Sequence, residues 1–237
     1  MKVTLSVIKA DVGSIGGHTR PSERMLETVR AQLRDAIRFQ LVLDGLITYT
    51  GDDIAIIMSH TRGPGAREVH RFAWDSFLAA TEEARAAGLY GAGQDLLVDA
   101  PSGNVRGAGP AVAEIEFDRD PGSRDRPAEP FLVFAGDKCG PGAYNYPLYS
   151  VFCDPMHNGG LLLSGKLRKG FTLVIIDMDH KAGEGDRVIE LPVPERVWDV
   201  ACLLQNPDRF AIEAVYSRHK PDEQIVSVSA TRLHNIA

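Results

Sequence analysis

Leu46-Ile47-Thr48-Tyr49 and Ile54-Ala55-Ile56-Ile57-Met58 are two β-rich runs, and only Thr50-Gly51-Asp52-Asp53 separates them. A short Gly/Asp link of this kind is turn-forming, so the two runs read as a strand pair. Upstream, Val3, Leu5 and Val7 alternate with Lys2, Thr4 and Ser6, the period-2 pattern of a half-buried strand. A Gly-rich loop follows from Gly13 to Gly17. Pro21 and Ser22 then open a helix whose apolar stripe is Leu26, Val29, Leu33, Ile37 and Leu41. Downstream, a second helix is predicted from about Gly65 to Ala87, with Val69, Phe72, Phe77 and Ala80 on one side and Gly88 as its C-terminal stop.

The rest of the chain follows the same plan. Val112–Phe117 and Phe131–Ala135 are predicted strands on either side of a charged, Pro/Gly-rich excursion. Residues 138–170 read as irregular. Phe171–Met178 is a predicted strand, Pro194–Leu204 a short helix, and Phe210–Tyr216 and Gln224–Thr231 two closing strands. Strands that come in pairs between helices predict an α+β fold with layered, mixed or antiparallel sheets, not a strictly alternating parallel sheet. No internal repeat interrupts the pattern, and residues 1–237 are expected to form a single catalytic-type domain.

Composition narrows the function. The chain has 237 residues, 44% hydrophobic and 24% charged, which excludes disordered and disulfide-scaffold classes. Its net charge is −6, so the basic footprint of a nucleic-acid binder is lacking. The three cysteines, Cys139, Cys153 and Cys202, are odd in number and show no CxxC spacing, which argues against a thiolate zinc site or a disulfide framework. The longest apolar runs fall well short of the roughly 20 residues of a membrane span, and Lys9 and Asp11 interrupt the N-terminus before a signal core could form. A cytoplasmic protein without a membrane partner is expected.

Aspartates repeatedly follow the predicted strands. Asp11 closes the first, Asp52 and Asp53 sit in the turn after the second, and Asp137 follows Phe131–Ala135. A single Asp of this kind is most simply a turn former. Four that share one sheet edge would repel unless a cation neutralised them, and hard divalent cations prefer oxygen ligands. His18 ends the loop GSIGGH, whose glycines could bring backbone N–H groups to a phosphate; the loop is neither a GxGxxG fingerprint nor a Walker A sequence. Ser102-Gly103-Asn104 with Arg106 is a second candidate anion cradle. His157, His180 and His219 lack ligand spacing, no GxSxG elbow is present, and Trp74 and Trp198 are expected in core or interface packing.

Taken together, SVIKADVGSIGGH, YTGDD, GLYGAGQDLL, SGNVRGAGP, FAGDK and PGAYNYPLY resemble the archaeal-type (class V) fructose-1,6-bisphosphate aldolase/phosphatase family. The match covers most of residues 3–150 and continues more loosely to the end. The resemblance implies an α-β-β-α sandwich with helices on the outer faces of the sheets, a homo-octamer and a Mg²⁺-dependent enzyme of gluconeogenesis. Such an enzyme joins dihydroxyacetone phosphate to glyceraldehyde 3-phosphate and then removes the 1-phosphate of fructose 1,6-bisphosphate. It also implies roles by motif. Asp11 would be a metal ligand and the phosphatase base, and His18 would contact metal and substrate. Asp52, Asp53, Gln94 and Asp137 would complete the Mg²⁺ ligands, while Tyr90, Gly103, Asn104 and Lys138 would bind the sugar bisphosphate. The family's Tyr and Schiff-base Lys have no counterpart up to Ala237, so the chain is expected to be truncated and to lack aldol activity by itself. Two alternatives stay open: a non-catalytic remnant that folds and oligomerises, and a metal-dependent hydrolase of another phosphosugar.

Overall fold

The computed structural model describes residues 1–96, 109–118, 130–137, 139–140, 142–159, 163–165, 167–179, 187–221 and 223–229. The expected substrate contacts Gly103, Asn104 and Lys138 lie outside these residues. The chain divides into two compact units, the first within 1–138 and the second within 139–232.

In the first unit the strand pair is an antiparallel hairpin, β2 (Asp44–Thr50) and β3 (Asp53–His60), as its turn chemistry requires. Strand β1 (Lys2–Asp11) pairs antiparallel with β3, and β4 (Ala111–Asp118) pairs antiparallel with β1, giving the order β2-β3-β1-β4. Because side chains alternate across a strand, Ile8 and Ala10 of β1 join Ile54, Ile56 and Met58 of β3 in one core with two helices. Helix α1 (Glu23–Arg38) starts where Ser22 Oγ accepts the Met25 N–H at 3.3 Å. It buries Met25, Leu26, Val29, Leu33 and Ala36, and α2 (Arg67–Ala86) buries Val69, Ala73, Phe77, Ala80 and Ala84. Fully burying a side chain such as Phe77 contributes about 1.5–3 kcal/mol.

The second unit holds β5 (Phe171–Asp177), β6 (Arg187–Val193), β7 (Phe210–Ser217) and β8 (Gln224–Ser227) in the antiparallel order β6-β5-β7-β8. Phe171, Leu173, Ile175, Leu191, Ile212 and Val215 form its core with Val200 of helix α4 (Val197–Leu204) and with residues of helix α3 (Asn145–Phe152) packed alongside. Buried Asn145 splices α3 to β7: its amide donates to Phe210 O at 2.9 Å, and its Oδ1 accepts the Ile212 N–H at 3.0 Å. Arg209 clamps the Asp177 carboxylate through Nε and Nη2, both at 2.9 Å.

The α+β expectation is met by two four-stranded antiparallel sheets with helices. Three local expectations are corrected. Phe131–Ala135 carries no regular secondary structure and is exposed. The supposedly irregular 138–170 contains α3, and β6 was not anticipated. Trp74 packs against the first core, and Trp198, expected in core or interface packing, is 78% exposed in this chain and so is not a core residue. No disulfide joins Cys139, Cys153 and Cys202. Among the described residues no helix is long and apolar enough to cross a membrane.

Candidate metal centre

The antiparallel register brings the aspartates together. Asp11, the last residue of β1, lies directly opposite Asp53, the first of β3, and Asp53 in turn lies opposite Thr50 at the end of β2. Directly opposed like charges destabilise a sheet, yet both carboxylates are buried here, and Asp52 between the two strands is 0% exposed. Asp137 comes in from outside the sheet. It lies over Gly51, whose φ of +59° is a left-handed conformation. A Cβ at Gly51 would lie 2.7 Å from the Asp137 Cβ and closer still to its carboxylate, so only a glycine leaves room for Asp137 to reach Asp52 and Asp53.

The loop after β1 brings His18 back to the same place. Its Nδ1–H donates to Asp52 Oδ2 at 2.7 Å and lies 3.8 Å from Asp11 Oδ2. The ring meets Tyr90 edge-on at 4.6 Å between centroids. His18 holds φ +61°, an uncommon conformation for a residue with a Cβ. A Cβ built on Gly91 would lie 3.1 Å from Gln94 Oε1 and 4.0 Å from Asp11 Oδ1, so both oxygens approach that bare Cα.

Two groups of donors result. Asp11, His18 and Asp52 each offer an atom within 4.8 Å of the others, and so do Asp52, Asp53 and Asp137; Asp52 belongs to both. Every predicted ligand in the described residues is therefore at this edge, with Gln94 and Tyr90 beside it. Two participants were missed in the sequence. Lys9 hydrogen-bonds Asp53 Oδ2, and Asp95 accepts the Asp11 backbone N–H at 2.8 Å. Lys9 was findable, since strand alternation puts it on the face of Asp11. Asp95 has no such signal, because its role depends on a tertiary hydrogen bond.

Burial raises three of these carboxyls. Burial, reinforced by Asp52, Asp95 and Asp53, pushes the Asp11 carboxyl up to about 7. Burial likewise pushes Asp95 up to about 6, against the pull of its hydrogen bond from the Asp11 N–H. Asp53 is raised by burial even though Lys9 opposes the shift. Five buried or half-buried aspartates, with Lys9 and the His18 imidazole beside them, form an oxygen-rich donor set with one ring nitrogen. That donor set fits a hard divalent cation, and the shared carboxylate fits a pair of them.

A family model described as fructose-1,6-bisphosphatase matches residues 2–237. A fructose-1,6-bisphosphate aldolase/phosphatase of Thermus thermophilus is 54% identical over 237 residues, covering 100% of this chain and 62% of that protein. Proteins of the same name from Cenarchaeum symbiosum and Moorella thermoacetica are 45% and 43% identical, covering 100% and 99% of this chain and 59% and 58% of their own lengths. The chain thus spans about three fifths of the length of these relatives. With the family's matched residues running from one end of the sequence to the other, this chain belongs to the fructose-1,6-bisphosphatase family that the model describes.

Proposed function

We propose that these residues carry the phosphatase site of an enzyme that hydrolyses the 1-phosphate of fructose 1,6-bisphosphate with divalent metal, Mg²⁺ being the ion that an oxygen-rich, partly hydrated site favours. The observation that supports this is the sharing of Asp52 between two three-donor groups. Asp11, His18 and Asp52 would hold one ion, with Gln94 alongside, and Asp52, Asp53 and Asp137 the other. Bound there, a divalent pair offsets the charge of the phosphoryl oxygens.

The chain's own groups do the rest. Asp11 takes a proton from the attacking water as the water oxygen bonds to phosphorus and the bond from phosphorus to the sugar oxygen breaks. The released sugar oxygen is protonated from solvent. His18, held between Asp52 and the Tyr90 ring, orients the phosphate. Tyr90, Gly103, Asn104 and Lys138 are assigned to the remainder of the sugar bisphosphate. We assign the aldolase activity in the relatives' names, which takes dihydroxyacetone phosphate and glyceraldehyde 3-phosphate, to a polypeptide that also supplies the Schiff-base amine. A cytoplasmic homo-octamer acting in gluconeogenesis completes the proposal.

The test is phosphate release from fructose 1,6-bisphosphate by the purified protein. Release is expected with Mg²⁺, and is expected to be lost in a chelator and in Asp53→Ala. Undiminished release by Asp53→Ala would overturn the assignment, and faster hydrolysis of another sugar phosphate in a parallel panel would move the substrate.

A further inference from the structure

Asp95 belongs to neither three-donor group among the described residues, yet it touches the cluster from behind. The strand end and the loop that follows it are fastened to the Tyr90–Leu96 turn at three points. Ser14 N–H donates to Tyr90 O at 2.9 Å, Gly93 N–H donates to Val12 O at 3.0 Å, and Asp11 N–H donates to Asp95 Oδ2 at 2.8 Å. The first two are backbone bonds. The third depends on a side chain, and it acts on the residue whose carboxylate enters the site. Asp95 sits on a single 3₁₀ turn, Gln94–Leu96, closed by Leu96 N–H on Gly93 O at 3.0 Å. Gln94, one residue earlier on that turn, directs its Oε1 toward the same bare Cα of Gly91 that Asp11 Oδ1 approaches.

We propose that Asp95 is a positioning residue: by accepting the Asp11 backbone N–H it locks the end of β1 to the Gln94–Leu96 turn, so that the Asp11 carboxylate and the Gln94 amide oxygen are held in one frame for a divalent cation. Outer-shell partners that orient ligands typically change metal affinity about ten- to a hundredfold when removed. The metal half of the statement rests on the proposed function; the hydrogen-bond half does not. Acceptance of the N–H needs an oxygen at this position and not a negative charge, which separates positioning from direct ligation.

The experiment compares the intact wild-type polypeptide with Asp95→Ala and Asp95→Asn, by Mn²⁺ titration calorimetry and by hydrogen exchange of the Asp11 amide in chelator. Asp95→Ala is expected to weaken Mn²⁺ binding by about ten- to a hundredfold and to speed exchange of the Asp11 amide, while Asp95→Asn stays near wild type in both. Circular dichroism confirms folding, and Asp95→Asn keeps the test decisive if the alanine variant unfolds. Unchanged exchange in Asp95→Ala would overturn the lock. Equal loss of Mn²⁺ affinity in both variants would overturn positioning in favour of charge. If wild type takes up no Mn²⁺, the metal-dependent function fails, and the exchange experiment still decides whether Asp95 holds Asp11.

Discussion

At one end of the β2-β3-β1-β4 sheet aspartates crowd together, and at the other Glu114 sits among Ser6, His60 and His70. Both ends bury ionisable groups, but they resolve the charge differently. Glu114 accepts from Ser6 Oγ at 2.6 Å, the Gly65 N–H at 2.6 Å and His70 Nε2 at 3.0 Å. His60 Nε2–H donates to Ser6 Oγ at 2.8 Å, and its Nδ1 accepts the Arg62 N–H at 3.3 Å. Burial raises the Glu114 carboxyl, and these hydrogen bonds outweigh it, leaving the group below its ordinary value. Burial holds His60 below the usual histidine range. At the acidic end burial and like charge act in the same direction, so the carboxyl of Asp11 is pushed far up. A buried charge whose bonds close within the protein is structural; a buried cluster of carboxylates of one sign is a place that could hold a cation.

The contrast can be broken by mutation. Asp11→Asn is expected to slow phosphate release by about 10²–10⁴-fold, the contribution of a positioned base, measured as kcat at saturating Mg²⁺. Glu114→Ala should leave that chemistry and Mn²⁺ affinity nearly intact, but lower stability by about 2–4 kcal/mol, measured by urea unfolding, because His70, Ser6 and the Gly65 N–H lose their acceptor. In chelator at pH 8, Asp11→Asn is expected to do the reverse and stabilise by about 1–3 kcal/mol, since it removes a carboxylate that ionises only reluctantly. Destabilisation by Asp11→Asn under those conditions would erase the distinction between the two ends.

Proton linkage sharpens the same comparison with a smaller effect. For Asp11 the folded value, about 7, lies above the unfolded one, so between about pH 4 and 7 the folded state keeps a proton that the unfolded state has lost. Metal-free stability from this group therefore falls as pH rises through that window. The other end has the opposite sign. Its contributions from Glu114 and His60 are present at higher pH and fade on acidification, for His60 from about pH 6.5 downward. On the proposed assignment of Asp11 as a ligand, Mn²⁺ would displace its proton, so apparent affinity is expected to rise about tenfold per pH unit below pH 7 and to level off above it. Calorimetry in buffers of different ionisation enthalpy would count the proton released.

The strand pair around Gly51 was legible because a run of β-rich residues on each side and a turn between them say the same thing, whereas the place of Asp53 opposite Asp11 depends on the β1-β3 pairing, which the sequence left open. What was misread had conflicting local signals. Phe131–Ala135 has strand composition, but β propensity only says that a segment suits a half-buried pleated surface, not that a partner is there. Strand β6 contains Pro192 and was passed over; it is an edge strand, where a missing N–H is tolerated. Helix α3 carries Pro147 in its first turn, where no N–H bond is lost. At the site, residue types with metal chemistry could be picked out in advance. The supporting bonds of Lys9 and Asp95 could not, because they join positions far apart in the chain.

Gly51 contributes to the centre through an atom it does not have. A methyl group there would occupy the volume that Asp137 fills, so the second donor group depends on the missing side chain of Gly51. Without Asp137 that group would keep only Asp52 and Asp53, so the space over one bare α-carbon decides whether it has a third donor.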